Sequence, residues 1–62
     1  MNEHYTRLRI QPFDIIKTNN LDFFEGNVIK YILRHRYKNG AEDLKKAKVY
    51  IDELLKEYED AD

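Results

Sequence analysis

The segment EGNVIKYILRHRYKNG, residues 25–40, decides the fold, because its apolar residues recur at helical steps of three and four. At roughly 100° per residue, a helix here gathers its apolar side chains on one broad arc. The arc consists of Phe24, Val28, Ile29, Ile32 and Leu33. Because this arc is wider than a single partner helix covers, we expect the helix to be packed on more than one side.

Start and stop signals flank this helix. Asp22 followed three residues later by Glu25 resembles a capping box, with Asp in place of the usual Ser or Thr. Carboxylates at this end also suit the positive pole of the helix dipole. Gly40 supplies the left-handed turn that commonly ends a helix. The pattern predicts a helix over about 22–38.

Two more helices are predicted on either side. Pro12 suits a first helical turn, so a short helix over about 12–19 should follow an extended arm of residues 1–11 and end at Asn19 and Asn20. A third helix is predicted over about 41–58. Its apolar residues follow alternating steps of three and four, which predicts one packing seam. The seam consists of Leu44, Ala47, Ile51, Leu54 and Tyr58.

The sequence therefore predicts one all-α domain over residues 1–62, with three helices and an extended amino-terminal arm. A chain of 62 residues buries only roughly 60% of the surface that its unfolded form exposes, so its core is marginal. It has no cysteine for a disulfide or a cysteine-ligated zinc site. Self-association remains as the common source of stability, and we expect a homo-oligomer that uses part of the apolar arc, such as Ile29 and Leu33.

The stripe of the second helix opposite the arc is basic. It carries Asn27, Lys30, Tyr31, Arg34, Tyr37 and Lys38. Residues 1–38 hold seven Lys or Arg and four Asp or Glu, whereas residues 39–62 hold four and eight. Two interpretations stay open: the cations form a solvated face or pair with the acidic third helix, or they form a phosphate-binding face. Gly26 similarly permits either backbone approach to a ligand or close helix packing.

Several classes of activity find no support in the residues. Serine and cysteine are both absent, and neither a Walker-type loop nor a G-x-G-x-x-G turn occurs. His4 and His35 lack the spacing of a metal-binding pair, so no metal site is expected. His35 lies at the edge of the apolar arc and is interpreted as a packing residue. There is no signal-peptide pattern and no apolar run of roughly 20 residues, so we expect a cytoplasmic protein.

Four stretches carry a specific resemblance: HY at 4–5, IQPFDII at 10–16, LDFFEGNVIKYILRHRYKNG at 21–40 and EDLKKAKVYI at 42–51. They resemble the SaV-like family of small, mostly phage-encoded domains, one larger member of which is a phage nucleotide kinase without a Walker loop. The resemblance covers nearly the whole chain. Its matching positions are His4, Tyr5, Pro12, Asp14, Gly26, Asn27, Lys30, Tyr31, Arg34, Lys38, Gly40, Asp43, Leu44, Lys46 and Ala47.

Eight of these positions do not need their residue types for packing, and the resemblance implies that they form a nucleotide phosphate and base site. They are His4, Tyr5, Asn27, Lys30, Tyr31, Arg34, Lys38 and Lys46. The function implied is a phage protein that binds a nucleotide or a nucleotide-derived signalling molecule. It would act as an anti-defence sponge that sequesters this molecule in the cytoplasm of an infected bacterium. No cofactor is expected.

Three other functions stay open. A nucleotide kinase or hydrolase, as the larger relative suggests, would need Mg²⁺ and turn over its ligand; the missing extra sequence of that relative counts against it. A protein-interaction inhibitor would bind an acidic host protein in a salt-sensitive way. Nucleic-acid binding ranks below both, because the acidic tail opposes a long polyanion.

Overall fold

The computed structural model describes residues 9–61, with side chains described for residues 9–59. Helix α1 spans Pro12–Thr18, α2 spans Phe23–Arg34 and α3 spans Ala41–Ala61. A short 3₁₀ helix, His35–Tyr37, follows α2 directly. The described part contains no strand. The prediction of an all-α domain with three helices is confirmed, whereas most of the predicted arm, including His4 and Tyr5, lies outside the described residues.

Local capping chemistry sets where α1 and α2 begin. Pro12 occupies the first turn of α1. The capping box of α2 is complete: the Glu25 backbone N–H donates to Asp22 Oδ1 at 2.8 Å, and the Asp22 N–H donates to Glu25 Oε1 at 3.0 Å. The first turn of a helix leaves backbone donors without intrahelical partners, and these two bonds satisfy a pair of them.

Left-handed residues direct the two connections. Asn20 has φ 52° and Gly40 has φ 55°, the conformation that glycine and asparagine adopt most readily. The Gly40 N–H donates to the His35 carbonyl at 2.8 Å and closes the turn after the 3₁₀ helix. The second helix was predicted to run to about residue 38, but its α-helical part ends at Arg34, since the chain tightens into 3₁₀ geometry to reach this turn.

Helix α2 packs against both α1 and α3. The Cα atoms span 42 × 27 × 13 Å, so the domain is flat and elongated. Among the described residues, Ala47, at 1% exposure, and Pro12 are the buried apolar side chains. Ile29 and Leu33, the predicted oligomer contacts, are half-buried. None of the described helices is long and apolar enough to cross a membrane.

The seam of α3 differs from the prediction. Asp43 and Ala47 are buried, and Tyr50 and Leu54 are half-buried. Three predicted seam residues are instead exposed: Leu44 at 41%, Ile51 at 40% and Tyr58 at 77%. Helix α3 is turned about its axis relative to the prediction, because Asp43 and Tyr50 contact α2. An apolar pattern does not detect such polar and aromatic contacts.

Candidate functional site

Three cations from two helices surround the ring of Tyr31, at the contact between α2 and α3. Lys30 Nζ lies 5.8 Å, Arg34 Cζ 4.7 Å and Lys46 Nζ 5.6 Å from the ring centroid. Distances below about 6 Å are typical of cation–π contacts. We call Lys30, Tyr31, Arg34 and Lys46 the Tyr31 cluster. All four were predicted site residues, and the packing of α3 on α2 adds Lys46 to the three on α2.

Tyr50 supports this cluster. Its ring stacks on that of Tyr31, with centroids 6.0 Å apart and an interplanar angle of 13°. Phe23 and Phe24 contact the Tyr50 ring at centroid distances of 5.9 and 6.2 Å. The sequence interpretation missed Tyr50. The four-three-four spacing of Asp43, Ala47, Tyr50 and Leu54 was the available signal, but the apolar seam drew the prediction to other residues.

Arg34 also forms a bidentate ion pair with Asp43 at the start of α3. Arg34 Nε donates to Asp43 Oδ2 at 3.2 Å, and Arg34 Nη2 donates to Oδ1 at 3.1 Å. The two side chains are 15% and 0% exposed. The Asn39 backbone N–H donates to the same carboxylate at 3.3 Å, and the Asn39 side chain does so at 3.4 Å. This pair joins α2, the connection and α3.

The surroundings of Asp43 shift its pKa in opposing directions. Burial raises the pKa of this carboxyl, but the hydrogen bonds from Arg34 and Asn39 and the positive charge of Arg34 outweigh burial. The net result is a pKa below the ordinary value of 3.8. Asp43 is therefore ionised at neutral pH, as its bidentate pairing requires.

We expect acid to destabilise the fold through this group. Because the folded-state pKa of Asp43 lies below its unfolded value, its stabilising contribution is present above about pH 4 and is lost as pH falls through the folded-state pKa. Urea unfolding followed by circular dichroism from pH 7 to pH 2.5 should show this loss. Asp43→Asn should flatten that part of the profile. An unchanged profile in the variant would contradict the assignment.

A groove of about 240 Å³ lies next to the Tyr31 cluster, between α1 and the start of α2. Its lining is mostly apolar, with Lys30 at its border. The lining residues are Ile16, Leu21, Asp22, Phe23, Gly26, Asn27 and Lys30. A side chain on Gly26 would place its Cβ 3.3 Å from Ile16 Cδ1, so this glycine permits close packing of α1 on α2, one of the two interpretations left open.

The other predicted site residues occupy different environments. Asn27 is buried, at 8% exposure, and its side-chain amide donates to the Phe23 carbonyl at 2.8 Å. Lys38 lies in the turn between the 3₁₀ helix and α3 and is not among the cations around Tyr31. His4 and Tyr5 lie outside the described residues. For all eight positions, contact with a ligand stays a prediction, and Arg34 has a structural partner in addition.

Comparison with known proteins places the chain in a family without identifying an individual relative. No curated protein matches it, and no solved structure does. One family model, described as a protein of unknown function (DUF3310), matches residues 1–52. The match covers α1, α2, the turn and the first half of α3, and it carries no link to a kinase. By this match, the chain belongs to the DUF3310 family.

Proposed function

We propose that this protein binds a nucleotide or a nucleotide-derived signalling molecule through the Tyr31 cluster. The observation that carries the proposal is the convergence of three cations from α2 and α3 on one aromatic ring. Its resemblance to small phage-encoded domains supports a role as a sponge that sequesters such a molecule from bacterial defence. This role places it, as a homo-oligomer, in the cytoplasm of the infected host.

The chemistry of the cluster suits a compact anion. Arg34 is partly neutralised by Asp43, but Lys30 and Lys46 approach the same ring from different helices. Like charges around one ring repel one another, and a phosphate that contacts both would convert the repulsion into attraction. Lysine presents a compact point charge, which suits a phosphate oxygen from any direction. The two lysines are therefore the proposed phosphate contacts, and Arg34 is held beside them by its carboxylate partner.

The neighbouring groove offers a place for the base. It borders Lys30 and is lined by apolar side chains, among them Ile16, Leu21 and Phe23. Ligand sites commonly combine an apolar surface with a few polar groups that fix orientation. With the phosphate at Lys30 and Lys46, a nucleobase would extend into this groove. The proposal thus assigns the phosphate and the base to adjoining parts of one surface.

Alanine at Lys30 or Lys46 should weaken binding of a phosphorylated ligand by at least about 1.5 kcal/mol, roughly tenfold, which is the scale of one charge-assisted hydrogen bond. The melting temperature without ligand should change little, because relief of repulsion in the cluster offsets the lost cation–π contact with Tyr31. Calorimetry against mononucleotides and cyclic dinucleotides, with parallel thermal melts, measures both quantities.

Lys45→Ala is the matched control, because Lys45 is exposed and lies one helical step of about 100° away from Lys46. It should bind like the wild type. Equal losses in all three variants would indicate a general effect of net charge and contradict a defined site. Product formation from the bound nucleotide with Mg²⁺ would favour the kinase or hydrolase alternative over sequestration. Failure of the wild type to bind any member of the panel would remove the proposal.

A further inference from the structure

We infer that an exposed apolar stripe on α3 is the docking surface for a second copy of this chain, with the two α3 helices antiparallel. The stripe consists of Leu44, Ile51, Leu55 and Tyr58, which are 41%, 40%, 49% and 77% exposed. Successive steps of seven, four and three place them on one side of the helix. This surface differs from the arc of α2 on which the sequence analysis placed self-association, and the inference does not depend on the nucleotide proposal.

The need for a partner follows from how little the described chain buries. Ala47 and Pro12 are its buried apolar side chains, whereas ten large apolar or aromatic side chains among the described residues are exposed. Apolar surface exposed in a row along a helix stabilises an assembly when a second apolar surface covers it. Over 14 residues, from Leu44 to Tyr58, the stripe is about 21 Å long. That length matches a helix–helix contact between two copies.

Charge complementarity identifies the occupant as another α3 and fixes its direction. Next to the stripe, the first half of α3 carries Lys45 and Lys48, whereas Lys46 lies on the other side, beside Tyr31. The second half carries Asp52 and Glu59 next to the stripe. An antiparallel pair places the basic half of each copy against the acidic half of the other, whereas a parallel pair aligns like charges.

The acidic carboxyl end of α3 is unfavourable within a single helix. Negative charges stabilise the amino end of a helix and positive charges its carboxyl end. The last turn of α3 has no basic residue, and Glu57 and Glu59 lie close to it. A second antiparallel α3 brings its lysines and its positive dipole end to this acidic end. The partner thus compensates an electrostatic cost that the isolated helix carries.

An antiparallel pair centred on Ile51 gives a definite register. Leu44 of one copy then lies opposite Tyr58 of the other, because both are seven residues from the centre. Lys48 of one copy lies within two residues, about 3 Å along the axis, of the position facing Asp52 of the other. Twofold symmetry creates this Lys48–Asp52 contact twice.

Reversing these charges in the chain of 62 residues tests the register. Lys48→Glu and Asp52→Lys each turn two attractive contacts into repulsive ones, so each variant alone should dimerise about tenfold more weakly than the wild type. An equimolar mixture should regain wild-type association, because a pair made of one copy of each variant has two opposite-charge contacts. Sedimentation velocity measures association, and native mass spectrometry identifies the mixed pair.

The mixing experiment distinguishes a contact between two copies from an effect inside one helix. Mixing cannot restore association when a substitution has destabilised each chain by itself. Glu53→Lys is the control, because Glu53 lies about 140° or more around the helix from each stripe residue and its ion pair with Lys56 is at the surface. It should associate like the wild type.

Ile51→Asp is a second test. It should weaken dimerisation about a hundredfold, because the two Ile51 side chains meet at the centre of the pair. A wild-type monomer at micromolar concentration, or a mixture that fails to associate, would overturn the inference. So would an Ile51→Asp variant that lowers stability at every protein concentration without changing size, because Ile51 would then be needed within a single chain and not between two copies.

Discussion

Replacing Arg34 with alanine should lower the free energy of unfolding by about 2–3 kcal/mol, the largest effect expected in this chain. The substitution leaves the fully buried Asp43 carboxylate without its bidentate partner, while Asn39 supplies only two long hydrogen bonds. The loss stays below the roughly 3–5 kcal/mol of a deeply buried pair, since Arg34 keeps 15% of its side chain exposed. Urea unfolding at a fixed protein concentration measures it.

A double-mutant cycle shows whether the loss comes from the pair. Asp43→Ala alone should also destabilise the fold. The double variant should be more stable than the sum of the two losses predicts, because removing both side chains leaves no buried charge unpaired. Arg34→Lys should recover only part of the stability, since a point charge cannot reproduce the two-bond fork. Additive losses, or an Arg34→Ala variant as stable as the wild type, would disprove the structural role.

This result also decides how Arg34 is used in studies of binding. The sequence left open whether the cation contacts a phosphate or pairs with the third helix, and the pair with Asp43 gives the second role a defined geometry. A loss of ligand binding in Arg34→Ala would therefore be confounded by unfolding. Lys30 and Lys46 test the site more cleanly, because neither forms an ion pair among the described residues.

Ala47→Leu should be the second most damaging change, with a loss of about 1–3 kcal/mol from overpacking. Ala47 is 1% exposed on the side of α3 that faces α2, between Asp43 and Tyr50. A leucine there would push α3 away from α2 and weaken the Arg34–Asp43 pair and the stacking of Tyr31 on Tyr50. Urea unfolding gives the stability, and near-ultraviolet circular dichroism reports the tyrosine environment.

Ala41→Leu is the matched control, because the same change is made at an exposed position in the first turn of α3. It should alter the free energy of unfolding by less than about 0.5 kcal/mol. If Ala47→Leu were equally mild, α2 and α3 would not be in the close contact that places Lys46 beside Tyr31. The geometry of the candidate site would then have to be revised.

Local chemistry is what the sequence determined by itself. Pro12 at the start of α1, the capping box of Asp22 and Glu25, and the left-handed turn at Gly40 each depend on residues at most a few positions apart. Such contacts satisfy backbone groups regardless of the rest of the fold, so a sequence pattern predicts them. The same reasoning placed Lys30, Tyr31 and Arg34 on one stripe of α2.

Only the tertiary structure decided which side of α3 faces α2, and with it the composition of the site. Apolar spacing favoured Leu44, Ile51 and Tyr58, but all three are exposed. The orientation of α3 depends on Asp43, held by Arg34, and on Tyr50, stacked on Tyr31. An ion pair or a ring contact between helices depends on both of its residues. The apolar spacing of one helix therefore does not show which residues of another helix it contacts. The position of Lys46 beside Tyr31 follows from that packing alone.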